Sequence, residues 1–292
     1  MANRRVLVKR RKAASNIRKI TRTMQLIATA RFQAAHKRAT GGKPYTEKLA
    51  QLVSHLSRAT EGLEHPLMAT HPDAGRMALV ILTSNRGLCG GYNANLLRVA
   101  REFLGEREAQ GLAVDTTMVG RKGISFFRFL DRPMAEAITD IGDRPRFDQV
   151  EPLANRLMAR FTAGEIASLY VAYTQFISAG RQLPVVERIL PLTREVSEGG
   201  EEGGAREVNY EFSPEPEQLL AELLPAAVRV RFYQCFTDAA VSEQIARMVA
   251  MKAATDAAED MIKRLTQRYN RARQTQITME LLDIVGGANA LA

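Results

Sequence analysis

Ser242-Glu-Gln-Ile-Ala-Arg-Met-Val-Ala-Met-Lys-Ala-Ala-Thr-Asp256 lies inside a stretch, residues 226–285, that holds neither proline nor glycine. The stretch runs on through Tyr269-Asn-Arg-Ala-Arg-Gln-Thr-Gln-Ile-Thr-Met-Glu280 and closes at Leu281-Leu-Asp-Ile-Val-Gly-Gly287. An unbroken helix over these sixty residues would extend about 90 Å at about 1.5 Å per residue. Ordinary helices average about 11–12 residues, so a compact globule of this size has no use for such an element. The expected role is that of a spacer, a coiled-coil strand or a shaft.

A partner helix is expected at the other end of the chain. The first 46 residues carry 13 Lys or Arg and no acid, the first being Glu47. The net charge is +9, so the remainder sums to −4 (28 basic against 32 acidic) and the basic character is local. No glycine interrupts residues 1–40 and no proline residues 1–43. Both ends carry spacing that alternates 3 and 4, the signature of a left-handed supercoil. At the N-terminus the expected seam is Ile17, Ile20, Met24, Ile27, Arg31 and Ala34. At the C-terminus it is Met248, Met251, Thr255, Ala258, Ile262, Leu265, Tyr269, Ala272, Gln276 and Met279. Several of these positions are small or polar, which allows close packing but supplies less burial than Leu or Ile.

Between the ends the pattern changes. Met77-Ala-Leu-Val-Ile-Leu-Thr83 is a continuous apolar run of buried-strand type, followed by a Gly-rich turn and a helical stretch at 93–110. Residues 114–120 read as a strand, 121–130 as a short helix, 135–141 as a weaker strand and 147–161 as a helix; further strands are expected at 166–174 and 185–190. This alternation favours βαβ units and a largely parallel sheet. Residues 197–207 form an acidic, Gly-rich insert, and Pro214, Pro216 and Pro225 punctuate a short helix ahead of the long one.

The fold class is therefore α/β: a long antiparallel left-handed coiled coil of the two terminal helices plus a central open, Rossmann-like α/β domain. The expected division is 1–60 for the N-terminal helix, 75–195 for the α/β domain, 196–212 for the insert and 213–292 for the C-terminal helix.

Composition excludes several functions. At 46% hydrophobic and 25% charged residues the chain is an ordinary globular protein, and no run of about 18 apolar residues spans a membrane. An acid-poor N-terminus also fits an organelle transit peptide, but the heptad pattern continues past Ile17 without a cleavage-like break. Cys89 and Cys235 have no partner motif, which suits a reducing compartment. His36, His55, His65 and His71 lack metal-ligand spacing, and no nucleophile is framed for covalent catalysis. Ser84-Asn-Arg-Gly-Leu-Cys-Gly-Gly-Tyr-Asn93 sits between a strand and a helix, where phosphate loops also sit. It lacks the Lys-Ser/Thr of a P-loop and the spacing of G-x-G-x-x-G, so a structural turn is the stronger reading. No catalytic centre and no cofactor site is expected.

Three readings of the basic segment stand: a solvated or partner-facing helix surface, a nucleic-acid contact and a membrane-surface contact. A nucleic-acid binder would interleave stacking aromatics with the charges, and Phe32 is the only aromatic before Tyr45.

With these pieces assembled, the chain resembles the gamma subunits of rotary F-type ATP synthases, of bacterial type. Three separated strings carry the resemblance: Asn16-Ile-Arg-Lys-Ile-Thr-Arg-Thr-Met-Gln-Leu-Ile-Ala-Thr-Ala30, the 84–93 turn with its Gly-Leu-Cys-Gly-Gly core, and the two C-terminal strings quoted above. The departures are Arg22-Thr-Met24 where the family has Lys-Ala-Met, a bulkier Ile27-Ala-Thr-Ala-Arg-Phe32, and an insert without the cysteines of the chloroplast thiol switch.

The resemblance implies a rotor shaft without an active site of its own, which couples rotation of a membrane ring to conformational change at catalytic sites on other subunits. The implied partners are the alpha and beta subunits of the head, the epsilon subunit and the c-ring, with no nucleic acid. The complex would place the chain peripherally on the cytoplasmic side of the cell inner membrane. It also implies roles by position. Met24 would pass the acidic lever of the catalytic subunit, and Arg247 would lie on the opposite helix nearby. Arg273, Gln274, Thr278 and Glu280 would meet the catalytic subunits near the end of the rod. Leu281, Leu282, Ile284, Val285 and Leu291 would turn in an apolar bearing. Seam packing remains the plain alternative for Met24, and a solvated or intrahelical charge for Arg247 and Glu280.

Overall fold

The structure, a computed structural model, describes residues 4–59, 65–71, 74–192 and 216–291. The acidic insert expected at 196–212 lies outside the described residues. The elements are α1 (Arg4–Ala59), a 3-10 turn (Pro66–Met68), β1 (Arg76–Leu82), α2 (Tyr92–Ala109), β2 (Ala113–Val119), α3 (Arg121–Phe129), β3 (Glu136–Ile138), α4 (Phe147–Thr162), β4 (Leu169–Ser178), β5 (Arg181–Leu190) and α5 (Pro216–Leu291). They fall into two compact units, one of Met1–Ala30 with Arg247–Ala292 and one of Arg31–Ala246. α1 and α5 each contribute to both.

The larger unit is built on a five-stranded sheet in the order β3-β2-β1-β4-β5. β1 is parallel to β2 and to β4, and β2 is parallel to β3. β5 returns antiparallel on β4 as a hairpin. The apolar run of β1 is continuous because both of its faces are covered. Ala78, Val80 and Leu82 pack with α4 and with Leu224, Val228, Phe232 and Phe236 of α5. Leu79 and Ile81 point the other way, onto Leu96, Leu97, Ala100 and Leu104 of α2 and Ile124 and Phe127 of α3.

One expectation is corrected here. The prolines do not set off a separate short helix; α5 runs from Pro216 to Leu291 with Pro225 inside it. An internal proline costs about 3 kcal/mol through its missing donor and ring clash. The fully buried neighbours Leu224 and Val228 each contribute about 1.5–3 kcal/mol, enough to hold the helix through the interruption.

The smaller unit is a helix pair. Arg18 meets Glu259, Thr21 meets Thr255 and the Arg11 guanidinium lies over the Tyr269 ring. Numbers rise on α1 as they fall on α5, so the pair is antiparallel. On α5 the expected seam holds through Met251, Thr255, Ala258 and Leu265, which are buried, and Ile262, Tyr269 and Ala272, which pack beside them. Gln276 and Met279 are exposed.

On α1 the expected register is wrong by one residue. Leu7, Ala14, Thr21 and Ala28 are buried at strict seven-residue intervals, whereas Ile17, Ile20 and Ile27 are 52%, 59% and 48% exposed. One residue is about 100° of helix rotation. The face of small side chains turns inward because it lets the two backbones approach, and the isoleucines are left outside. The same offset continues in the larger unit, where Ala34 is exposed and Ala35 and Ala39 pack on Val241.

Candidate coupling surface

The turn after β1 is held by side chains that bind it to the fold. The Ser84 amide donates to Asn93 Oδ1 at 3.0 Å, and Asn93 Nδ2 donates back to Ser84 Oγ at 2.8 Å. Asn85 Nδ2 donates to the carbonyls of Thr139 and Ile141, and its Oδ1 accepts from the Arg121 amide. The turn thus ties together the ends of β1, β2 and β3. Gly120 is required next to it: φ is +97°, and a Cβ there would stand 2.1 Å from the Thr83 carbonyl oxygen. Among the described residues no group of three or more His, Cys, Asp or Glu could hold a metal ion.

The residues singled out from the sequence are spread along the two helices. Met24 is half-buried on α1, and Arg247 is buried on α5 with 8% exposure. Arg273, Gln274, Thr278 and Glu280 are exposed on the last turns of α5. The Thr278 hydroxyl donates to the Gln274 carbonyl at 3.0 Å, and Gln276 Nε2 donates to Glu280 Oε1 at 2.8 Å, so this polar group is braced within its own helix. Leu281, Leu282, Ile284 and Val285 are all more than half exposed. Leu291 closes α5, and its side chain lies outside the described ones. A run of large apolar side chains left in water is unfavourable and marks a surface meant for a partner.

Two arrangements were not legible from the sequence. Thr255 Oγ1 lies 2.8 Å from Thr21 Oγ1 inside the helix pair. Asp143, in the loop between β3 and α4, takes both Arg31 and Arg86 on one carboxylate oxygen. Neither arises from local spacing; the partners are 234 and 112 or 57 residues apart.

Comparison with known proteins decides the family. The family model described as ATP synthase matches residues 3–291. The ATP synthase gamma chain of Rhodopirellula baltica is 43% identical over 100% of this chain and 99% of its own length. The chain belongs to the ATP synthase gamma-chain family. The gamma chain of Gemmatimonas aurantiaca is 40% identical over 100% of this chain and 99% of its own. A chain in the Euglena gracilis mitochondrial ATP synthase structure of OSCP, F1 and c-ring shares the fold, with a TM-score of 0.68 and 18% identity over 99% of this chain and 94% of that one. A gamma chain is a non-catalytic subunit of the central stalk, part of a membrane-associated complex. No described helix of this one is long and apolar enough to cross a membrane.

Proposed function

We propose that this chain is the central rotor shaft of a proton-translocating ATP synthase, with α1 and the 213–292 helix as the shaft and 75–195 as its body. In this reading the c-ring turns the body, and the epsilon subunit rides with it. The shaft presents a changing face to the alpha and beta subunits, driving catalytic sites that lie outside this chain through open and closed states. Met24, Arg247, Arg273, Gln274, Thr278 and Glu280 make the coupling contacts, while Leu281, Leu282, Ile284, Val285 and Leu291 turn in an apolar bearing. The complex holds the chain peripherally on the cytoplasmic side of the cell inner membrane.

The observation that carries this reading is the unpaired end of α5. Every residue from 273 to 286 is exposed, including Ile277, Met279, Leu281, Leu282, Ile284 and Val285. Burying a single such side chain is worth about 1.5–3 kcal/mol, so a surrounding sleeve accounts for a helix that the described residues leave bare. The outward isoleucines of α1 ask for the same sleeve.

The test is purification of the tagged chain from gently solubilised membranes of its native cell. ATPase activity and stoichiometric head and ring subunits are expected to come with it. Removal of the last twenty or so residues is expected to weaken proton pumping relative to hydrolysis. Recovery of the chain alone, or with nucleic acid and no ATPase, overturns the reading.

A further inference from the structure

We propose that Asp143 is a positioning residue that passes torque between the α/β body and α1; the proposal rests on the rotor reading above. Its side chain is 11% exposed, and its Oδ2 lies 2.6 Å from Arg31 Nη1 and 3.0 Å from Arg86 Nη2. Arg31 belongs to α1 and Arg86 to the turn after β1. The loop that carries Asp143 is itself held by that turn, because Asn85 Nδ2 donates to the Thr139 and Ile141 carbonyls. One carboxylate therefore joins the helix, the turn at the end of the central strand β1 and the β3–α4 loop.

Beside this point α1 also packs through a group of mostly apolar side chains. Phe32, Ala35 and Ala39 pack with Phe176 and Val241, and the His36 ring meets Phe176 edge-on at 5.4 Å. Apolar burial is non-directional, so such a surface resists separation but only weakly resists a helix turning about its own axis. A charge-assisted hydrogen bond has a defined direction and length. The Arg31 guanidinium stands off the helix axis at the end of a long side chain, where it opposes that rotation. Partial burial of Asp143 also keeps the pair from being screened as an exposed pair would be. α1 continues through residue 31 as one helix from Arg4 to Ala59, so rotation stopped at Arg31 is carried along its backbone.

The test uses the complete synthase, purified and sealed into lipid vesicles, with ATP hydrolysis and ATP-driven proton uptake measured on the same preparation. Asp143→Asn is expected to leave hydrolysis running, since the catalytic sites are on other subunits, and to lower protons taken up per ATP about three-fold. Arg31→Lys, which keeps a cationic donor for Asp143, is expected to recover most of the ratio that Arg31→Gln loses, while the amount of assembled complex stays the same in both. An unaltered ratio in Asp143→Asn overturns the proposal, as does an Arg31→Lys no better than Arg31→Gln. Should Asp143→Asn fail to assemble, Arg31→Gln keeps the Asp143–Arg86 pair, and an unaltered ratio there overturns it equally. A wild-type preparation without ATPase sinks the rotor reading itself, a result separate from these.

Discussion

Thr255 Oγ1 lies 2.8 Å from Thr21 Oγ1, a hydroxyl pair buried between two helices and 234 residues apart in sequence. The Thr255 hydroxyl donates to Thr21 Oγ1 and the Thr21 hydroxyl donates on to the Arg18 carbonyl, so both hydrogens are used. The pair costs little to bury for that reason. It marks the true register of the seam: Thr21 sits in line with Leu7, Ala14 and Ala28, and not with Ile20.

That register predicts opposite sensitivities for two adjacent residues. Ala28→Leu is expected to destabilise the helix pair by about 1–3 kcal/mol, because a larger side chain forces apart backbones that small residues hold close. Ile27→Gln, half exposed one position earlier, is expected to change stability by less than about 0.5 kcal/mol in the isolated chain. Chemical unfolding followed by helical circular dichroism measures both; equal losses would show that the seam is not where Ala28 places it.

Gly120→Ala is expected to cost about 3 kcal/mol or more, combining left-handed backbone strain with a Cβ driven into the Thr83 carbonyl. Gly142→Ala, where a Cβ would meet nothing within 4 Å, is the control and is expected to stay within about 0.5 kcal/mol. Thermal melting of the two variants side by side gives the comparison.

At the far end of α5, Leu281→Ser with Leu282→Ser is expected to leave the melting of the isolated chain unmoved, because both side chains are already in water. In the assembled complex the same change is expected to reduce proton pumping relative to hydrolysis. A loss of stability in the isolated chain would mean these residues are buried by their own chain after all.

Alkaline pH is expected to weaken the larger unit. Burial raises the Cys235 thiol well above its ordinary value of 9.0, and burial, with Cys235 and Glu187 nearby, raises the Tyr173 phenol above 10.0. As pH rises through those ordinary values the unfolded chain loses protons that the folded chain keeps, so the folded state binds more protons and stability falls. Stability from these groups is constant below about pH 8. Cys235→Ala is expected to start from a lower stability and to show a shallower alkaline decline, read from denaturant midpoints between pH 8 and 10.5 or so. A decline of unchanged slope would remove Cys235 from the explanation.

The α/β body was largely legible because its signals are local. The run from Met77 to Thr83 reads as a buried strand, and the strand-like and helical stretches alternate along the chain. The β5 hairpin was not foreseen as antiparallel, since β5 is a half-exposed edge strand whose residues carry no mark of direction. Residues 273–280 could be placed on a helix from spacing alone, yet their exposure is read only from the packing of the two helices.

What the sequence determined by itself was that the C-terminal segment is a helix far longer than a globule needs, that α1 starts basic and acid-free, and that the two ends pair as helices. Each follows from composition and from the 3.5-residue repeat, which need no knowledge of a partner. Tertiary structure decided which face of α1 turns inward and which distant acid receives Arg31. An α1 helix has two candidate stripes about 100° apart, and choosing between isoleucine and small residues requires the shape of the helix it packs against. Asp143 is recognisable only once the sheet brings the β1 turn and the β3–α4 loop to the same side chain.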